Sequence, residues 1–205
     1  VANGVDVNYF SRNRPYSQLD PLSQILVFTG SLDWRPNVDG LLYFLEQVFP
    51  LIKKSYPQSR LVIVGRNPMP VLQAKVAGIQ DVTLTGTVDD VRPYMEAAAV
   101  YIVPLRVGGG SRLKILEALS MRMPVVSTSI GAEGLDITPD KDILIADTPV
   151  SFAAVVGTVF DDRERAENLG KWGRHLVEAD YQWHVLADRL ETNWLQAVEG
   201  AEIKA

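Results

Sequence analysis

Short apolar runs alternate with longer amphipathic stretches along most of this chain. Ile25–Thr29, Arg60–Val64, Val82–Thr85, Val100–Val103, Pro124–Thr128 and Ile143–Ala146 are compact and apolar, and most end at glycine or proline. Such runs predict short strands. They lack polar–apolar alternation, so they read as buried on both faces, as in a parallel sheet covered by helices. Between them, residues 37–55 place Val38, Leu41, Leu42, Leu45, Val48, Phe49 and Ile52 on one helical face, and Pro57 stops the helix. Pro70 to Ala77 predicts a short helix closed by Gly78. Asp89 or Asp90 would cap another through Ala98, with Pro93 tolerated in its first turn. A helix from Ser111 to Met121 would bury Leu113, Leu116 and Leu119. Beyond Pro149 the pattern turns all helical, over 151–160, 163–180 and 183–199.

Strict β-α-β alternation predicts an α/β, Rossmann-like, doubly wound parallel sheet with C-terminal helices. Residues 1–22, with their N-G, N-R-P and D-P turns, read as a linker or lead-in; 23–180 form the sheet domain; 181–205 form a last helix with a frayed end.

The chain has 205 residues, is 47% hydrophobic and carries a net charge of −5. That suits a globular protein with a substantial core and argues against nucleic acid or a bulk anionic surface as partner. With no cysteine, disulfides and thiolate metal sites are excluded. No apolar run reaches a membrane span and no signal peptide appears, so the chain is expected to be cytoplasmic or peripheral at the inner membrane face. It does not begin with Met and is expected to be a piece of a longer protein.

In an open parallel sheet, ligands bind beyond the carboxyl ends of the strands. Four loops leave those ends with glycine close behind the strand: Gly30 to Arg35, Gly65-Arg66-Asn67, Gly86-Thr87-Val88, and Gly108-Gly109-Gly110. Glycine lets a ligand approach the backbone. After the triple glycine, Ser111 opens a helix that carries Arg112, Lys114 and Glu117. Cations at a helix start oppose the macrodipole at about 0.3–1 kcal/mol each, so two of them behind bare amides point to an anion to hold. Lys114 and Glu117 share a face. A phosphate would meet free amides, Arg112 and Lys114, while Glu117 could accept two hydrogen bonds from a ribose diol. The plain alternative is a glycine-rich linker beside a surface Lys114–Glu117 pair. Arg35 and Arg66 could reach the same anion or be solvated surface residues.

Other codes fail. Leu113 breaks G-x-G-x-x-G, and neither G-x-x-x-x-G-K-[ST] nor G-x-S-x-G occurs. His175 and His184 have no ligand partners at metal spacing, and Trp183 and Trp194 fit a helix stripe.

These residues resemble the C-terminal, donor-binding half of a GT-B glycosyltransferase of the retaining family 4 type. Asn3-Gly4-Val5-Asp6 resembles the linker entering that domain. Leu116-Glu117-Ala118 followed by Pro124-Val125-Val126 is similar to the family's E-A-x-x-x-x-x-P-V-V. Tyr181-Gln182-Trp183 resembles the turn before the helix that crosses back to the other domain. The resemblance implies a nucleoside-diphosphate-sugar donor, with its diphosphate on the loops of Gly30, Gly109, Gly110 and Ser111; position, rather than the family's pattern, assigns its charge to Arg35, Arg112 or Lys114. The ribose would lie on Glu117, and the base by Gly65, Arg66, Gly86, Thr87 and Val88. It implies a metal-independent hexosyltransferase without cofactor. The acceptor, a glycan or lipid of polysaccharide or envelope-glycan assembly, would bind an N-terminal domain outside this chain, leaving the fragment inactive by itself.

The chain departs from that family at three places. Gly109 stands where the first Glu of E-x7-E would be. Ser31 and Pro36 replace an Arg and a Lys of the first loop. Arg122 replaces a frequent glycine, where a left-handed backbone would cost about 1 kcal/mol. A non-catalytic nucleotide-sugar-binding module and a GT-B sugar-nucleotide epimerase are the alternative readings.

Overall fold

A computed structural model describes residues 3–12, 16–20, 23–108, 110 and 112–202. In chain order its elements are β1 (Ile25–Thr29), α1 (Arg35–Tyr43), a π-helical segment (Phe44–Val48), α2 (Phe49–Ser55), β2 (Arg60–Val64), α3 (Pro70–Ala77) and β3 (Val82–Leu84). Then follow α4 (Arg92–Ala97), β4 (Val100–Val103), α5 (Leu113–Ser120), β5 (Val125–Ser127), α6 (Ser129–Ala132), β6 (Leu144–Ile145), α7 (Pro149–Asp161), α8 (Arg163–Asp180) and α9 (Trp183–Glu202).

The strands form one parallel sheet in the order β3-β2-β1-β4-β5-β6. The chain winds outward from β1 to β3, then returns to β4 on the other side. This makes β1/β4 the switch point, where the loops leaving neighbouring strands diverge and open a crevice.

Both faces are covered, as the unbroken apolar runs predict. Successive residues feed opposite clusters. Leu26, Phe28, Leu61, Ile63, Val100 and Ile102 join Phe44, Phe49 and Phe152 on one face. Val27, Val64, Tyr101, Val103 and Val125 join Met95, Ile115, Leu119 and Val177 on the other. The period-2 pleat thus splits each strand between two cores.

Several local expectations change. The long helix begins at Arg35 and is continuous to Ser55, but widens to π geometry over Phe44–Val48. Pro50 follows at once; its ring would clash with the carbonyl of Glu46 and it has no N–H to donate, so a wider turn accommodates it. The cap of α4 is Val91, not an aspartate. Asp90 instead accepts from the Arg92 N–H at 2.9 Å and from its guanidinium at 2.7 Å. Leu113 is exposed, and Ile115, Leu116, Ala118 and Leu119 form the buried face of α5. The short α6, capped by Thr128, was not expected.

The lead-in is docked rather than free-running. Val5 and Val7 are buried, the Val5 N–H donates to Tyr181 O, and residues 16–18 form a 3₁₀ turn. From α8, Arg174 Nη1 donates to the carbonyls of Val7, Phe10 and Ser120.

Arg122 is left-handed, at φ +55°. A Cβ on Gly170 would lie 2.2 Å from its carbonyl oxygen, so α8 and this turn approach without a side chain between them. Replacing Arg122 by glycine relieves the strain and should stabilise the fold by about 1 kcal/mol. Gly170→Ala should destabilise it by about 1–3 kcal/mol through overpacking. Urea denaturation of the two variants checks both signs.

Candidate functional site

Three glycine loops meet at the carboxyl edge and are joined by backbone hydrogen bonds. Gly30 N–H donates to Val64 O at 3.0 Å, Leu32 N–H to Arg66 O at 2.9 Å, and Gly65 N–H to Gly86 O at 3.3 Å. The ladder of the sheet therefore continues into the loops. A Cβ on Gly65 would lie 1.8 Å from Gly30 O. Gly65 is required by its neighbouring loop, before any ligand is considered. Gly86 has φ +71° and Gly110 φ +107°, backbone that L side chains rarely adopt.

Between these loops and α5 lies an open cavity of about 310 Å³, lined by Phe10, Thr29, Gly30, Ser31, Val64, Gly65, Arg66, Thr87, Val88, Val91 and Glu117. Its lining brings together five residues singled out from the sequence as base- or phosphate-contacting: Gly30, Gly65, Arg66, Thr87 and Val88. Glu117 joins them. Arg66 is exposed and donates from Nε to Ser31 Oγ at 3.1 Å. Asn67, at φ +53°, donates to Asp33 at 3.0 Å, which ties the first and second loops at the rim. Beneath the floor, Thr29 Oγ1 and Tyr101 OH share a hydrogen bond of 2.6 Å.

Lys114 is the unusual group. Its ammonium donates to Asn37 Oδ1 at 2.6 Å and lies 4.2 Å from the centre of the Phe28 ring. Asn37 in turn donates to Ser31 O at 2.7 Å. A Cβ on Gly30 would meet Lys114 Nζ at 2.9 Å, so the missing side chain makes room for this cation. Burial pulls the Lys114 ammonium down to about 7, with Arg112 adding to the fall and Glu117 opposing it. Burial pushes the Glu117 carboxyl up, with Lys114 pulling it back. The simple surface pair is not formed: the lysine is half-buried and bonds to Asn37.

Arg112 precedes α5 as its cap residue and is only 7% exposed. Its Nη2 donates to Ile130 O at 2.6 Å and Gly108 O at 3.1 Å, and Glu133 lies 3.5 Å away. It braces the glycine loop against α6, and its Nε is buried without a partner among the described residues. Arg106 braces the same loop from the other side, on Asp39 at 2.6 Å. Arg35 is exposed at the first position of α1. Gly109 and Ser111, also expected at the diphosphate, lie outside the described residues. Among the described residues, no group of three or more His, Asp or Glu could hold a metal ion, and no helix is long and apolar enough to cross a membrane.

The family model for "Glycosyl transferases group 1" matches residues 23–162. The chain belongs to this family. One relative is a GDP-mannose-dependent alpha-(1-6)-phosphatidylinositol monomannoside mannosyltransferase of Mycobacterium tuberculosis. It is 31% identical over 160 residues, covering 71% of this chain and 42% of the relative. Sucrose-phosphate synthase of Thermosynechococcus elongatus has the same fold, with a TM-score of 0.75 at 21% identity over 97% of this chain and 52% of that one. HepE of Anabaena, solved in complex with UDP, gives 0.74 at 15% identity over 94% and 56%. The chain spans between 35% and 55% of the curated relatives it matches. Sheet order and helices are those of the C-terminal domain of GT-B glycosyltransferases in this group 1 family.

Asn37, Thr29, Val91 and Phe10 carry no signal of a site in the sequence. Asn37 opens the amphipathic stretch 37–55, and Phe10 lies in the lead-in. No local pattern marks either one.

Lys114 also sets a pH dependence. Its proton is lost near pH 7 in the folded chain and near 10.5 when solvated. Between these values the unfolded chain binds more protons, so stability rises with pH, by at most about 1.4 kcal/mol per unit. Denaturation of the unliganded chain at pH 7 and pH 9 should show this gain. The gain should be smaller in Lys114→Met.

Proposed function

We propose that this chain is the donor-binding half of a retaining hexosyltransferase that takes its sugar from a nucleoside-diphosphate sugar. The observation that carries this reading is the cavity at the β1/β4 edge, with the half-buried Lys114 cation behind it and the Glu117 carboxylate on its wall. The diphosphate lies between the first glycine loop and the start of α5, within reach of Lys114 and the free amides of the α5 N-terminus. Glu117, one turn further along α5, accepts from the ribose hydroxyls, and the base extends toward Arg66, Thr87 and Val88. As the bond between anomeric carbon and phosphate oxygen breaks, negative charge collects on the departing diphosphate. Lys114, protonated again once the diphosphate is bound beside it, stabilises that charge.

In this reading no metal or other cofactor takes part. Arg112 and Arg106 hold the glycine loop in position, and Arg35 is free to swing toward the phosphates from the first turn of α1. The acceptor, a glycan or lipid of polysaccharide or envelope assembly, binds a preceding domain on the cytoplasmic side of the membrane. The exposed residues of α9, Trp194 and Leu190 among them, face that domain. The mannosyltransferase relative and the UDP-bound neighbour make GDP and UDP the natural probes.

Calorimetry of the folded chain with GDP and with UDP tests the reading. One of them should bind, and binding by neither overturns it. Glu117→Ala and Lys114→Met should each weaken that binding by about tenfold or more, the effect of removing a charge-assisted hydrogen bond. Binding an anion returns the proton to Lys114, so affinity should fall from pH 7 to pH 9 in the wild type. It should stay flat across that range in Lys114→Met.

A further inference from the structure

The nucleotide cavity has one aromatic wall, and it comes from outside the sheet domain. Phe10 stands ahead of β1, yet it lines the cavity with Val88 and Val91, in a lining that also includes Glu117. Its placement is fixed several times over. The Phe10 N–H donates to Asp6 O at 2.9 Å, and its carbonyl accepts from Arg174 at 3.1 Å. The Tyr9 and Phe10 rings meet edge to face at 5.1 Å. Arg92 lies 3.9 Å over the Tyr9 ring, donates to Tyr9 O at 3.0 Å, and is held by Asp90 at 2.7 Å. Arg92 opens α4, directly after the loop that carries Val88 and Val91. The two apolar sides of the cavity are therefore tied to each other by one guanidinium.

We infer that Phe10 is the aromatic surface against which the donor's base rests, so that the segment ahead of β1 completes the nucleotide site. This rests on the donor-site reading above. From α5 the order of the ligand is diphosphate near Lys114, ribose at Glu117, then base. The cavity's apolar lining, Phe10, Val64, Val88 and Val91, is what remains for the base. A purine or pyrimidine is flat and polarisable, and an aromatic ring is the side chain that covers it best. The ring discriminates nucleotide from bare diphosphate, because only the former reaches it.

The test uses three ligands on the 205-residue chain: GDP, UDP and inorganic pyrophosphate, each by calorimetry. Phe10→Ala should weaken nucleotide binding by about tenfold or more and leave pyrophosphate binding within about twofold. Phe10→Leu keeps an apolar side chain against the sheet domain but removes the ring; it should show the same selective loss, and Phe10→Tyr should restore nucleotide affinity. If Phe10→Leu binds nucleotide like the wild type, or loses pyrophosphate equally, the assignment of Phe10 is overturned while the donor site stands. If the wild type binds pyrophosphate but neither nucleotide, the donor-site reading fails and Phe10 falls with it.

Discussion

A lysine largely withdrawn from water needs a reason, because taking an ammonium out of solvent is costly. Lys114 bonds to a neutral amide and faces a phenyl ring, with the Glu117 charge near it on the same helix: Asn37 accepts from it, and Phe28 presents its face. The surroundings are arranged for this cation. Gly30 lacks the side chain that would collide with it, Asn37 links it to the carbonyl of Ser31, and α5 delivers it from its first turn. Burial lowers its proton affinity, and an anion bound beside it would raise that affinity again. The first loop, α1 and α5 are held in register by this one group.

Close backbone approach is the second theme. Gly65 lets the Gly30 carbonyl pass, Gly40 lets that of Pro104 pass, and Gly170 admits the carbonyl of Arg122. Each of these glycines serves packing between elements. The floor and rim of the cavity are therefore tied to the sheet, since the same backbone groups that line it also carry the continuation of the sheet ladder. Arg112 and Arg106 extend this to the glycine loop, which they clasp from opposite sides. Residues that look like phosphate ligands in a linear motif can thus serve first as struts. A buried guanidinium on backbone carbonyls holds a loop of glycines that has no side chains of its own to pack.

The fold was legible because its pattern is local. Six apolar runs without alternation gave six strands covered on both faces, and helical spacing gave the covering layers. Boundaries moved where a neighbour overrode propensity. Pro50 widened a turn into π geometry, and Asp90 chose the Arg92 guanidinium over a capping role. Leu113 turned outward because the buried face of α5 runs through Ile115 and Leu119.

By itself the sequence determined the sheet class, the edge at which a ligand would bind and the placing of Lys114 and Glu117 on one helical face, since all three follow from periodicity and from the alternation of strands and helices. It could not determine that Lys114 bonds to Asn37, 77 positions away, or that Gly30 makes room for it. Nor could it place Phe10 in the cavity wall. Those relations exist only once distant segments converge, and nothing in a residue's immediate neighbours encodes which remote carbonyl, ring or amide it will meet.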